Sequence, residues 1–136
     1  MAPSKPIITV VTGTGAQGRA ISRAFHRSGK WHVRVLTRNP TGQVAQALEM
    51  EGMELVQGNF EDKGALLRVF EGAFAVYSVT IPPWHQQYDL SMGEYEQGVL
   101  QADAAKASNV QIFLFSTLPY VGPHFMGLGG VELYDG

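Results

Sequence analysis

The feature that most restricts what this chain can fold into is Gly13-Thr14-Gly15-Ala16-Gln17-Gly18. It lies between a β-branched run, Ile7-Ile8-Thr9-Val10-Val11-Thr12, and a stretch with Ile21, Ala24 and Phe25 at helical spacing. A strand, a G-x-G-x-x-G turn and a helix in that order open a βαβ unit. Glycine permits the tight turn and lets the backbone approach a pyrophosphate. The helix N-terminus offers N–H groups and partial positive charge to that anion. Gly13, Gly15, Ala16, Gln17 and Gly18 are therefore read as a dinucleotide-phosphate loop.

The rest of the chain repeats the alternation. A second strand spans Val33 to Thr37, and a helical stripe of Val44, Ala47 and Leu48 ends at Gly52. The third strand is Glu54 to Gln57, followed by a stripe of Leu66, Leu67, Val69 and Phe70 ending at Gly72. The fourth strand, Ala75 to Thr80, leads into a loop from Ile81 to Leu90. Ser91 and Glu94 then read as a capping box for a longer helix running through Tyr95, Val99 and Ala102, before a fifth strand at Ile112 to Phe115. Strands alternating with helices require right-handed crossovers. The expected fold is α/β, a Rossmann-like doubly wound parallel sheet of five strands in the order 3-2-1-4-5, truncated relative to the full fold. No repeat or linker divides residues 1–136, which read as a single domain. Past Ser116 the chain is glycine-rich and leaves room only for a short sixth strand at Gly130 to Leu133.

Composition narrows the function classes. With no Cys, disulfides, thiolate metal sites and a Cys nucleophile are excluded. The histidines, His26, His32, His85 and His124, are dispersed without metal-ligand spacing, so no metal site is expected. No apolar stretch approaches the roughly 20 residues of a membrane span, and Met1 to Pro6 carries no signal-peptide core. The expected location is the cytosol, with the nucleus also open to it.

The net charge of −2 conceals an asymmetry. Up to Leu48 there are Lys5, Arg19, Arg23, Arg27, Lys30, Arg34 and Arg38 and no acid; from Glu49 onward three cations face all 12 acids, so the two portions stand at +7 and −9. A cationic first portion suits an anionic ligand. Arg19, Arg23 and Arg27 share one helix face, but aromatic interleaving and a DNA-reading motif are missing, so nucleic acid is not the expected partner.

The end of the second strand selects between dinucleotides. An NAD site places an acid there for the ribose hydroxyls. This chain has Leu36-Thr37-Arg38-Asn39-Pro40, and no acid between Gly18 and Glu49. A guanidinium binds a 2′-phosphate through charge-assisted hydrogen bonds, whereas a carboxylate repels it. The expected cofactor is NADP(H), with Arg38 as the main 2′-phosphate ligand and Thr37 and Asn39 as helpers.

Together, Val11 to Gly18, Val35 to Pro40, Val56-Gln57-Gly58-Asn59-Phe60, Glu96-Gln97-Gly98 and Phe115-Ser116-Thr117-Leu118-Pro119 resemble the NmrA-like family of atypical short-chain dehydrogenase/reductase relatives. The resemblance runs from Ile7 to the end of the chain. It implies an NADP-preferring Rossmann domain followed by a smaller C-terminal substrate or partner region, which this chain is expected to lack. Some such proteins are redox sensors that bind transcription factors; others are NADPH-dependent reductases of quinone and isoflavone type. The resemblance adds Thr12, Asn59, Phe60, Val79 and Thr80 to the expected cofactor-binding set. Thr12 stands where the family's G-x-x-G-x-x-G has its first glycine, and Gly13 is expected to take the turn instead. Asn59 stands where relatives commonly have an Asp beside the adenine. A segment like Gly129 to Gly136 leads, in relatives, into a helix whose lysine supports the nicotinamide ribose or catalysis, and this chain stops just before it.

A reductase of the wider superfamily needs a proton donor, commonly Tyr with Lys four positions later. None of Tyr77, Tyr88, Tyr95, Tyr120 and Tyr134 has that lysine, and Lys106 reads as solvated. The remaining catalytic candidates are His85 and Tyr88, in the loop after the fourth strand, and Ser116, which with Thr117 ends the fifth. Three functions follow as expectations. One is an NADP(H)-binding sensor or regulator acting through a protein partner, with at most weak oxidoreductase capacity. Another is a small enzyme, either an NADPH-dependent reductase or an isomerase or lyase reusing the pocket. The last is a non-catalytic subunit that pairs an exposed sheet edge or apolar face with another protein, including a second copy.

Overall fold

The computed structural model describes residues 4–81 and 91–116. Nine elements alternate in chain order: β1 (Ile7–Val10), α1 (Ala16–Arg27), β2 (His32–Thr37), α2 (Gln43–Met50), β3 (Glu54–Gln57), α3 (Lys63–Phe70), β4 (Ala75–Val79), α4 (Glu94–Ala107) and β5 (Ile112–Ser116). All strand pairs are parallel, in the order β3-β2-β1-β4-β5. This is the expected α/β, Rossmann-like arrangement. The loop from 82 to 90, with His85 and Tyr88, and everything from Thr117 on, including Gly130 to Leu133, lie outside the described residues.

The central strand explains the two layers. Ile8 and Val10 point to one side, where Val33, Val35, Leu48, Met53 and Ala75 are buried and Ile21, Phe25 and Trp31 pack against them. Thr9 and Val11 point to the other, toward α3 and α4, with Leu36, Leu66, Val69, Phe70, Val76, Ala104 and Ala105. A strand buried on both faces reads as a continuous apolar run because both layers are helical. Thr9 is the one polar residue within β1, and its hydroxyl donates to the Val69 carbonyl at 2.7 Å, satisfying it inside the core.

The helices differ from the sequence reading in detail. α1 begins at Ala16, two residues ahead of Gly18, and Ala24 is exposed while Ser22 is buried. In α2 the buried pair is Ala45 and Leu48, with Val44 and Ala47 half-buried. In α3 Ala65 is buried and Leu67 faces outward.

α4 departs most. Tyr95 is 83% exposed and Val99 42%, whereas Gln97, Gly98, Gln101, Ala104 and Ala105 are buried. The expected capping box does not form: Gly93 is the N-cap without a side-chain cap hydrogen bond. Glu94 instead accepts from the Thr80 hydroxyl at 2.9 Å. Glu61 accepts from the Ser91 and Met92 N–H groups, the latter at 2.6 Å, so the acid that fixes the entry to α4 comes from the connection between β3 and α3.

Part of the apparent cationic surplus is neutralised by folding. Arg23 pairs with Glu51 at 2.9 Å, and its hydrogen bond holds the Glu51 carboxyl below its ordinary pKa. Arg34 bonds Glu54 and the carbonyls of Val69 and Glu71, and His32 lies 2.8 Å from the same Glu54 carboxylate. Burial pushes the Glu54 pKa up, but hydrogen bonds from His32 and Arg34 outweigh it, and the net direction is down. His32 and Glu54 open β2 and β3, so this cluster sits at the opposite end of the sheet from the glycine loop.

Candidate cofactor site

In a parallel doubly wound sheet, ligands bind outside the carboxyl ends of the strands where the strand order reverses. Here β1 lies between β2 and β4, and the chain leaves it through Val11 and Thr12 into the glycine loop. The turn is built differently from expectation. Thr12, with φ of 55°, takes the left-handed conformation, and Gly13 does not. The Gly15 N–H donates to the Thr12 carbonyl at 3.1 Å, closing the turn, and the Thr12 hydroxyl donates to the Val11 carbonyl at 2.6 Å. Gly13 serves by its lack of a side chain, since a Cβ there would meet Val35 Cγ1 at 2.4 Å. At Gly18 a Cβ would lie 2.2 Å from the Thr12 carbonyl oxygen, so only glycine lets α1 seat directly on the turn.

A β-branched residue in the left-handed region costs about 1–2 kcal/mol. Glycine carries no such strain but loses about 0.5–1 kcal/mol of backbone entropy on folding. Thr12→Gly is expected to raise stability by up to about 1 kcal/mol, read as a higher urea midpoint at unchanged slope. A lower midpoint would show that the Thr12 hydroxyl and its contacts outweigh the strain.

Seating α1 on the turn turns its N-terminus toward a cavity of about 590 Å³. Gly15, the N-cap, contributes no side-chain cap, and the first turn contains no acid. The walls come from the loop (Thr12, Thr14, Gly15, Ala16), from α1 (Arg19), from the end of β2 (Leu36, Thr37, Arg38, Asn39) and from the segment after β3 (Gly58, Phe60). Among these described lining residues none is acidic and two are arginines. The β2 end is held in place by hydrogen bonds. The Thr37 hydroxyl, on a buried side chain, accepts the Asn39 N–H at 3.2 Å and lies 3.4 Å from the Thr14 hydroxyl, and the Gly58 N–H donates to the Thr37 carbonyl at 3.0 Å. Arg38 is thereby presented at a turn of defined shape beside the glycine loop.

Of the residues expected from sequence, Thr12, Gly15, Ala16, Thr37, Arg38, Asn39 and Phe60 line this cavity. Gly13 and Gly18 shape the loop without lining the cavity, and Gln17, in α1, does not line it either. Asn59 caps the following turn, its side-chain oxygen accepting the Glu61 N–H at 2.9 Å. Val79 and Thr80 lie at the end of β4, where Thr80 is engaged by Glu94. Ser116 closes β5 opposite Val79. Sequence reasoning missed Thr14, Arg19, Leu36 and Gly58 as wall residues. Arg19 carried a signal, since it follows Gly18 directly, but its spacing with Arg23 and Arg27 grouped it with a shared helix face instead.

The residues present fit a dinucleotide: a helix N-terminus without a side-chain cap, a glycine cradle that a Cβ would fill, and a cationic, acid-free rim. Among the described residues no cluster of three or more His, Asp or Glu could hold a metal ion, and no helix is long and apolar enough to cross a membrane.

Fold and pocket together define a doubly wound α/β protein with a glycine loop and a cavity at its switch point. The chain belongs to the NmrA-like family, whose model matches residues 4–135. It is similar to the NmrA-like family domain-containing oxidoreductase malD of Malbranchea aurantiaca, with 32% identity over 121 residues, covering 86% of this chain and 36% of that protein. Among solved structures it is similar to NmrA, a negative transcriptional regulator, in complex with NAD (29% identity, TM-score 0.71) and in complex with NADP (28% identity, TM-score 0.70). Each match covers 88% of this chain and 36% of the NmrA chain. The chain thus spans little more than a third of the length of the relatives it matches.

Proposed function

We propose that this chain binds NADP(H) in preference to NAD(H) in the cavity at the carboxyl ends of β1 and β2. The observation that carries the reading is the pairing of an α1 N-terminus that lacks a side-chain cap with Arg38, in a cavity whose described lining residues include no acid. In this reading the N-terminus of α1 takes the pyrophosphate, and Thr37, Arg38 and Asn39 take the ribose 2′-phosphate. Leu36, Gly58 and Phe60 offer an apolar end for the base. The cofactor supplies a hydride donor or acceptor at its nicotinamide ring; this chain's part is to bind and orient it.

The role we propose is redox sensing or regulation, with cofactor occupancy read out by a protein partner. NADP binding by the negative transcriptional regulator NmrA supports it. A second reading, an NADPH-dependent oxidoreductase, is favoured by the names of the relatives at about one-third identity.

Titration of the purified 136-residue chain, followed by nicotinamide fluorescence, tests the cofactor reading. Saturable NADPH binding is expected, at least about tenfold tighter than NADH, as one charge-assisted contact provides. Binding of neither nucleotide, or tighter binding of NADH, would refute it. Steady consumption of NADPH on adding a quinone would move the role from sensing to oxidoreduction.

A further inference from the structure

α1 carries Arg19, Arg23 and Arg27 one turn apart on one face. Glu51 accounts for the middle of this stripe, since Arg23 bonds both of its carboxylate oxygens, and the fields of Arg27 and His26 also act on that carboxyl. Arg19 has no ion pair among the described residues and is half-buried rather than extended into solvent. It lines the same cavity as Arg38.

Helical side chains lean toward the N-terminus and lie over the preceding turn. A residue one turn into α1, whose N–H donates to the Gly15 carbonyl at 2.8 Å, therefore spreads its side chain back over Gly15 and Ala16, beside the cavity whose walls also include the end of β2. Two guanidiniums in one cavity whose described lining residues include no acid provide more donors than a single phosphate ester link needs and match a terminal dianion.

We infer that Arg19 is a second ligand for the 2′-phosphate, acting from α1 together with Arg38 at the end of β2 and setting the margin by which NADP(H) is preferred. This inference rests on the cofactor reading above. Arg19 and Arg38 are each replaced by Gln in the 136-residue chain, with Arg23→Gln as a control on the same helix face, and NADPH and NADH are titrated against each. Arg19→Gln is expected to weaken NADPH binding about tenfold, the share of one charge-assisted bond, and to leave NADH binding within about twofold. Arg23→Gln is expected to change neither. Unchanged NADPH affinity in Arg19→Gln, or equal loss for both nucleotides, would overturn the inference, the second outcome placing Arg19 on the pyrophosphate. If the unsubstituted chain shows no NADPH preference, it is the cofactor reading that fails. If that preference holds and only Arg38→Gln abolishes it, the reading stands and Arg19 drops out. Thermal midpoints of the variants confirm that each folds.

Discussion

Arg38→Asp is expected to reverse the cofactor preference, cutting NADPH affinity by about 100- to 1,000-fold while NADH holds or gains severalfold. Two effects add. The substitution removes a planar guanidinium that suits a phosphate bidentately, and it places a carboxylate where ribose hydroxyls are accepted in NAD sites and where a 2′-phosphate is repelled. Arg38 is exposed, at a turn defined by Thr37, so the change perturbs charge without disturbing the core. Exposure also means that salt screens the attraction, and the NADPH advantage of the unsubstituted chain should shrink as ionic strength rises through the range where the Debye length falls below about 10 Å. Parallel titrations with both nucleotides at two salt concentrations check this. A variant that still prefers NADPH would remove Arg38 from the site.

How far the sequence could be read follows from which signals are local. β1, the glycine loop and the end of β2 were legible because each depends on near neighbours: a β-branched run, a turn needing small residues, and an arginine where an acid would otherwise stand. The strand order followed from the alternation and from the handedness of crossovers. The conformation of Thr12 was not legible. G-x-G-x-x-G offered Gly13 for the left-handed position, yet packing against Val35 assigned Gly13 another task and left that φ to Thr12. Arg19 was hidden by a periodic pattern that Glu51, distant in sequence, divides in the fold. α4 was misread because apolar spacing normally marks the buried face. Its apolar residues are spread around the helix, and the choice of face was made by hydrogen-bond partners on β4 and its flanks that no local window contains.

Those partners make Gln97 a side chain whose loss should harm the fold. Gln97 is fully buried, and its amide is used completely. Oε1 accepts the Ile81 N–H at 2.7 Å, and Nε2 donates to the Ile81 carbonyl at 2.8 Å and to the Met92 carbonyl at 3.0 Å. One amide therefore joins the residue that leaves β4 to the residue that approaches α4. Gln101, one turn later, repeats the device by accepting from the Ser78 hydroxyl and donating to the Val79 carbonyl. Gly98, between them, leaves room for the Phe115 ring, which a Cβ would meet at 3.0 Å. Gln97→Leu keeps the volume but leaves one N–H and two carbonyls without their partner. At about 1–3 kcal/mol for each group, reduced because Ile81 and Met92 are only part-buried, a loss of about 2–4 kcal/mol is expected. Tyr95→Gln and Val99→Gln, on the exposed face, should each stay within about 0.5 kcal/mol. Gln97→Glu discriminates further. At neutral pH its carboxylate faces two carbonyls and cannot donate to them, while protonation restores one donor. Its folded-state pKa is therefore raised, and this variant, unlike the parent, should gain stability as pH falls through that value. Urea unfolding at pH 7 and pH 5 measures all three effects. If Gln97→Leu unfolds with the parent's midpoint while Tyr95→Gln does not, the apolar stripe faces the core after all and the polar clamp does not hold α4.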